Sequence, residues 1–481
     1  MRDINLKSIL RIIGIIQIIT AAFFLLCIPV ALSYSESVQP FVISFLAAIS
    51  SGLLIYALSR DARNRKVTTR EGYLSVTLGW FALIFTGTLP YIFNGEIKGF
   101  VNILFETTSG FTTTGASILS DVEALDKSIL FWRSLTHWIG GIGIILLVII
   151  ILPSLKIGGY NLFSLESSLK EKILPKTKSI AYRVALIYLG LTVAEIVLLM
   201  LGGMHPFDSI CHSFGSVATG GFSTKNTSLA TYSPYIQYVA AIFMFLAATS
   251  YVVFYYLVKG NFSRIKYNEE FWFYIFFVTA CVVFVTLILY FGTERAFELS
   301  FRHAFFQVIS QISCTGFATT DYMTFPYIGW FLMFLIMFSG GSTGSTTGGI
   351  KMARHLIALK NLKNTFVKMQ HPNAVLQIRL NGRMVPDSIV NQMTVFISLY
   401  LMIFLSGTVL MQLSGVSVIE AAGASATSMA GIGPGLGASG NMGNYAHFNF
   451  SAKFVMMLLM IIGRLELFTF IAIFTKSFWR N

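Results

Sequence analysis

The sequence predicts an all-α polytopic membrane protein, with two leading helices and then four pseudo-repeated units of helix, re-entrant pore loop and helix around one central pore. Three observations carry this reading. Apolar runs of about 20 residues recur from end to end, the length that a hydrocarbon core ~30 Å thick demands of each spanning helix. Only 11% of the 481 residues are charged, 55% are hydrophobic and the mean hydropathy is +0.72, whereas a soluble domain carries roughly 25% charge; a soluble enzyme is excluded. Four glycine-bearing motifs recur at similar intervals, all in connectors on the same side of the membrane.

Ten spans are expected, near 8–32, 40–59, 72–93, 130–152, 181–203, 233–258, 271–292, 325–355 (interrupted), 388–413 and 451–475. Arg2, Lys7 and Arg11 before Ile12 to Leu32 imitate a signal peptide. The apolar run of about 20 residues exceeds the roughly 7–15 of a signal core, so it reads as an uncleaved first helix. The connectors then alternate in charge. Basic clusters at the N-terminus, at Arg60 to Arg70, Lys156 to Arg183, Lys259 to Lys266, Lys351 to Arg383 and Lys476 to Arg480 hold 26 of the 34 lysines and arginines. Such clusters stay in the cytoplasm, which makes both termini cytoplasmic and makes the net charge of +13 a statement about orientation, not about nucleic acid. The opposite connectors carry Glu36, Glu96, Asp121, Glu123, Asp126, Asp208, Glu294 and Glu298. Cys27, Cys211, Cys281 and Cys314 have no CxxC spacing and imply neither a disulfide framework nor a metal site.

The expected units are 1–66, an N-terminal helix pair; 67–155, the first repeat; 156–262, the second; 263–370, the third, with a broken second helix; and 371–481, the fourth. Their motifs read ETTSGFTTTGAS (Glu106 to Ser117), HSFGSVATGGFST (His212 to Thr224), ISQISCTGFATTD (Ile309 to Asp321) and ASATSMAGIGPGLG (Ala424 to Gly437). Anchored on Gly115, Gly221, Gly316 and Gly433, the intervals are 106, 95 and 117 residues, one repeat per pair of spans. Irregular backbone at membrane depth is tolerated only where it is buried or lines water. Four loops around an axis can present carbonyl rings that replace an ion's hydration shell, with glycine reaching conformations costly to a residue with a Cβ. The half-helices aim their negative ends inward, which favours a cation. Small residues also let helices pack closely, but four similarly placed loops favour the pore. Thr107, Thr108, Thr112 and Thr113 can bond within their half-helix; Thr114 and Thr315 are the better lining candidates, and Cys314 reads as a small buried residue.

Within these residues, and in SGGSTGSTTGGIK (Ser339 to Lys351) and GRLELFT (Gly463 to Thr469), the sequence resembles the Trk/Ktr/HKT superfamily of potassium transporters, in its Trk-type membrane-subunit branch. The resemblance covers nearly the whole chain. It implies potassium uptake across the cytoplasmic (inner) membrane through a filter at Thr114, Gly115, Gly220, Gly221, Thr315, Gly316, Ile432 and Gly433. Thr113, Ala116, Phe222, Cys314, Phe317, Gly431 and Pro434 flank it. Three loops keep one clear filter glycine, so selectivity is expected to be less strict than in tetrameric potassium channels. The resemblance further implies a homodimer and a cytoplasmic nucleotide-binding regulatory subunit, with Lys351 to Arg383 as the docking surface or simply a membrane-hugging basic face. Potassium is then the substrate and the sole metal, with no cofactor in this chain, no nucleic acid and no enzymatic activity. The alternative is a proton- or sodium-coupled cation or solute symporter.

The eighth span carries about 14 apolar residues before Ser339 and then Gly340, Gly341, Gly344, Gly348 and Gly349. Glycines cost roughly 1 kcal/mol each against Ala in a helix, so the span opens at mid-membrane over 339–350, as a gate by family resemblance or as a flexible hinge. A phosphate-binding loop fails because Ile350 stands where its lysine should follow and no strand precedes it. Arg464, within the run Phe454 to Phe474, costs at least ~2.5–3.5 kcal/mol on insertion scales and should face the pore or partners. It joins the gate glycines as a gating residue. Glu466 does not share its face and is expected to bond to a neighbouring repeat, while Glu195 reads equally as an interior hydrogen-bonded carboxyl or a functional one. Only these three are clearly within spans. Trp80, Trp132, Trp138 and Trp330 read as interfacial anchors.

Overall fold

The computed structural model describes residues 4–60, 68–146 and 173–479. The basic side chains of Arg63, Arg65, Lys66, Lys156, Lys170 and Lys172, the unit boundaries at 66/67 and 155/156 and the end of the fourth span lie outside the described residues.

The described residues are mainly helical, with one two-stranded hairpin. Helix α1 (Leu6–Phe24) continues after a short break into α2 (Cys27–Ser33), and α3 (Gln39–Leu58) packs back along α1. In the first unit, α4 (Thr69–Gly87) starts at a capping box in which Thr68 and Glu71 satisfy each other's free amides. It leads through α5 (Leu89–Asn94) to the half-helix α6 (Phe100–Phe111) and then to α7 (Lys127–Leu146). The second unit runs α8 (Ile173–Leu201), half-helix α9 (Pro206–Val217), α10 (Pro234–Ala247) and α11 (Tyr251–Val258), followed by the short α12 (Phe262–Lys266). The third runs α13 (Glu269–Gly292), half-helix α14 (Phe297–Ile312), α15 (Tyr327–Ile336) and α16 (Met352–Gln370), and a hairpin pairs β1 (Arg379–Leu380) with β2 (Arg383–Met384). The fourth runs α17 (Asp387–Leu413), half-helix α18 (Val418–Ala430), α19 (Phe450–Arg464) and α20 (Phe468–Ala472), with α21 (Lys476–Trp479) last. Proline opens α9 and α10, where a missing amide costs nothing.

Among the described residues, six stretches are long and apolar enough to cross a membrane: Leu6–Ser33, Gln39–Leu58, Arg70–Asn94, Tyr182–Leu201, Glu269–Gly292 and Asp387–Leu413. Their lipid-length surfaces are largely uncovered within one chain, as at Leu54, Leu201, Phe276 and Leu405. Two expected spans differ from the prediction. The run 233–258 is not one helix but α10 and α11, bent by 96°. The run 451–475 ends its first helix at Arg464, so Arg464 closes α19 and does not sit halfway along a continuous span; Glu466 then takes φ 52° before α20 begins. Both breaks are imposed by tertiary hydrogen bonds, described below. Trp80 and Trp132 are buried and not interfacial: Trp132 lies between Phe24 and Phe111 and donates to the Gly87 carbonyl at 3.2 Å.

Two large apolar cores result, beside two smaller clusters. One mainly joins the N-terminal pair to the first and fourth units, around Phe24, Trp132, Tyr445 and Met456. The other mainly joins the second and third, around Met244, Tyr274, Ile309 and Met337. The half-helices are buried through their C-terminal turns and so bring their following loops together in the middle.

Candidate functional site

Each half-helix unwinds the same way. Thr113, Thr219 and Cys314 take φ of 52°, 54° and 55°, and Gly431 takes 70°; two residues later Gly115, Gly221, Gly316 and Gly433 take 80°, 80°, 85° and 98°. Between them the amides of Thr114, Gly220, Thr315 and Ile432 reach back to the carbonyls of Ser109, Gly215, Ser310 and Thr427 at 2.8–3.1 Å. A left-handed residue, one residue, then left-handed glycine turns successive carbonyls toward one side of the chain.

The four loops stand in a closed cycle. A Cβ on Gly115 would meet the Gly220 carbonyl, one on Gly221 that of Thr315, one on Gly316 that of Ile432, and one on Gly433 that of Thr114 at 2.7 Å. All four contacts fall under 3.0 Å, where real Cβ atoms essentially never stand, so glycine is required here by close approach as well as by φ. The predicted residues Thr114, Gly115, Gly220, Gly221, Thr315, Gly316, Ile432 and Gly433 thus meet in one ring. The hydroxyls of Thr114 and Thr315 bond Thr112 (2.8 Å) and Ser313 (2.7 Å), leaving their carbonyls as the groups offered to it. Ala116, Phe222, Cys314 and Phe317 are buried beside the ring, and the Pro434 Cδ packs against Gly316.

Side chains outside the motifs hold the loops. Glu106, fully buried, accepts from Ser117 Oγ and the Ile118 amide, both at 3.0 Å, and pairs with Arg133 Nε at 2.7 Å. Arg133 also donates to the Ser223 carbonyl at 3.0 Å and covers the Phe222 ring at 3.5 Å, while His137 stacks on the other aromatic surface of Phe222 and bonds the Gly110 carbonyl at 2.7 Å. Ser310 donates to the Phe317 carbonyl at 2.7 Å and Gln307 to that of Thr320 at 2.9 Å. Tyr445 donates to the Gly433 carbonyl at 2.9 Å, and Tyr322 to that of Gly435. Arg133 and Lys453, like Arg464, are charges inside apolar runs, and the sequence-based list of span charges omits them. A charged residue within FWRSLTHW is the signal that could have found Arg133.

Below the half-helices, residues 338–351 form the break predicted in the eighth span. The Gly340 amide donates to Ile350 and the Ile350 amide to Phe338, so the two arms run side by side. Gly344 and Gly349 take φ of 79° and 65°; Gly341 lies against the Ala248 carbonyl and Gly348 against that of Ala430, at the end of α18. The break between α10 and α11 has its cause here: the Ala248 carbonyl accepts from the Ser342 amide at 2.9 Å and the Tyr251 amide donates to Gly344 at 3.2 Å. Arg464, at the end of α19, donates to the Thr346 carbonyl at 2.9 Å and to that of Gly140 at 3.0 Å. Lys351 folds back onto Thr347 and Ser345. Glu466 pairs with Arg354 of the third unit at 2.6 Å, the neighbouring-repeat bond expected of it, and Glu195 is fully buried in α8 facing Ser216.

The outer acids mostly tie connectors together. Glu36 accepts the Lys127 and Ser128 amides at the start of α7, at 2.6 and 2.8 Å, and Asp121 and Glu123 hold Asn226. Burial and the neighbouring Asp126 push the Glu96 carboxyl up to about 7.

A TrkH family model, described as a cation transport protein, matches residues 37–480. The chain is 34% identical to the Trk system potassium uptake protein TrkH of Escherichia coli (strain K12), covering 99% of this chain and 100% of that one. It is 31% identical to TrkH of Halomonas elongata with the same coverage. The crystal structure of the potassium transporter TrkH from Vibrio parahaemolyticus superposes with a TM-score of 0.90 at 31% identity, over 99% of this chain and 100% of that one. A family match over most of the sequence, on a fold shared end to end, shows that this chain belongs to the TrkH family of cation transport proteins.

Proposed function

We propose that this protein takes up potassium across the cytoplasmic membrane, both termini cytoplasmic, through a filter formed by the four glycine loops and gated by residues 338–351 with Arg464. The closed cycle of contacts among Gly115, Gly221, Gly316 and Gly433 carries the reading. Four left-handed turns in register offer carbonyl rings, each ring with one donor oxygen per unit, and such rings replace the hydration shell of a monovalent cation. The C-terminal ends of the half-helices add negative potential beneath them. The relatives named above as potassium uptake proteins support potassium as the substrate.

The proposed gate works by obstruction and charge. Loop 338–351 lies against the ends of α9 and α18, where Thr346 bonds the Val217 carbonyl at 3.3 Å, so it occupies the path beneath the ring. The Arg464 guanidinium adds a fixed positive charge and clasps the loop tip. A homodimer and a nucleotide-binding cytoplasmic subunit docking near Lys351 to Arg383 complete the proposal; the "Trk system" names of the relatives support a multi-component assembly.

Potassium uptake in cells lacking their own potassium transport, with and without an imposed proton gradient, tests the function. Uptake that follows the potassium electrochemical gradient alone supports the channel-like reading; uptake that requires the proton gradient returns the symporter. Deleting Gly344 to Gly349 separates gate from hinge, since a gate deletion raises flux and a hinge deletion lowers it.

A further inference from the structure

Two consecutive carboxylates open α13, and they face opposite ways. Glu269 grips the cytoplasmic elements: it accepts the Asn381 amide at 3.1 Å, its own amide donates to Asn381 Oδ1 at 2.7 Å, and it binds Lys360, which in turn donates to the Arg379 carbonyl at 2.7 Å. Glu270 turns inward and is only 1% exposed. A single oxygen, Oε1, accepts both the Thr343 amide at 2.6 Å and the Ala353 amide at 3.0 Å. Those amides lie on either side of the glycine-rich tip, one in the arm that leads into it and one in the first turn of α16. One atom therefore closes the base of the loop.

We propose that Glu270 is a positioning residue that holds loop 338–351 shut from its base, separately from Arg464 at the tip, and that Glu269 fixes this clasp to the cytoplasmic hairpin. The proposal rests on the reading of that loop as the gate. Losing a buried acceptor strands both amides at once.

The test is potassium flux per folded molecule in proteoliposomes, together with amide hydrogen exchange over residues 340–355, for Glu270→Ala, Glu270→Gln and Arg464→Ala. Glu270→Ala should raise basal flux about tenfold and speed exchange at Thr343 and Ala353, since two buried amides lose their acceptor. Glu270→Gln keeps an Oε1 able to accept both amides and should stay within about twofold of the unaltered protein. Where Ala does not fold, Glu270→Asp, too short to bridge both arms, should raise flux in the same direction. If Arg464→Ala raises flux while the Ala or Asp variant at 270 changes neither flux nor exchange, the clasp is overturned and the gate stands. If neither position alters flux, the gate reading falls and takes the clasp with it. A similar loss of flux in the Ala and Gln variants also overturns the clasp, because it marks a need for the carboxylate charge in conduction.

Discussion

The glycine loops and loop 338–351 are both irregular backbone in the protein interior, yet the side chains that hold them differ. In the ring, backbone meets backbone at distances no Cβ allows, and the supports are neutral hydroxyls and amides or a fully paired ion pair: Tyr445, Tyr322, Ser310, Gln307 and Glu106 with Arg133. The lower loop has such close approaches too, at Gly340, Gly341 and Gly348, but its tip and base are also tied by the charged side chains Arg464 and Glu270, which reach in from the fourth unit and from α13. Close fit favours one arrangement; ties at the end of long side chains can be let go. That difference matches the proposed division into a filter, which has to recognise an ion, and a gate, which has to have two states.

The largest expected effect comes from breaking the fit. Gly221→Ser or Gly316→Ser adds a Cβ at positive φ against a neighbouring carbonyl, tilts that carbonyl away and should reduce potassium-over-sodium preference more than about tenfold. Unchanged preference in paired flux assays for both variants would remove these loops from the proposed filter. Next is Arg464→Ala, which should raise basal flux about tenfold and weaken dependence on a regulatory subunit, with Arg464→Lys restoring the charge but only part of the clasp. Less folded protein with flux per molecule unaltered would make Arg464 a packing residue.

Smaller still is Tyr445→Phe. It deletes one neutral bond to the Gly433 carbonyl, about 0.5–1.5 kcal/mol, and should shift selectivity a few-fold without changing expression. A shift as large as that of Gly221→Ser would mean the supports and the close fit are not separable. The smallest effect belongs to neither region and serves as their common baseline. The folded-state value of about 7 for Glu96 lies above its ordinary 4.5, so the folded chain binds the proton more tightly. Its contribution is fully present below the unfolded value and is lost as pH rises through about 7. The carboxyl is partly exposed, so the loss should amount to only about 1 °C in Tm, and Glu96→Gln should abolish it. A larger pH effect that survives Glu96→Gln would point to a titrating group elsewhere.

The sequence made some of this legible and hid the rest for physical reasons. The four glycine motifs were readable because glycine at a forced left-handed position leaves a letter in the sequence, and the third-unit break because five glycines cannot extend a helix. The bend at Ala248 to Ser250 leaves no glycine or proline: only Thr249 and Ser250 mark it within a mostly apolar run, and what opens it is competition from the Ser342 amide and Gly344 carbonyl, nearly a hundred residues away. The end of α19 at Arg464 is hidden for the same reason, since its cause is the Glu466 pairing with Arg354. Trp132 misleads because an aromatic at the edge of an apolar run has the same pattern whether it meets lipid headgroups or a Phe24 and Phe111 sandwich. Arg133 and Tyr445 show their roles only once their neighbours are known.

The exchange of hydrogen bonds between the bent helix and the loop has one more consequence. While the loop is in, the Ala248 carbonyl and Tyr251 amide are satisfied by Ser342 and Gly344. If the loop is the proposed gate, its withdrawal leaves those four groups to find other partners, and water is the one small enough to follow into the vacated space. Opening of the proposed gate would then be a wetting event, in which the protein takes up solvent as it gives up contacts within itself. Solutes excluded from that space, such as sucrose, would draw water out of it and push the equilibrium toward the dry, shut form, tying the proposed ion passage to the osmotic strength of the medium through the same two broken turns of helix.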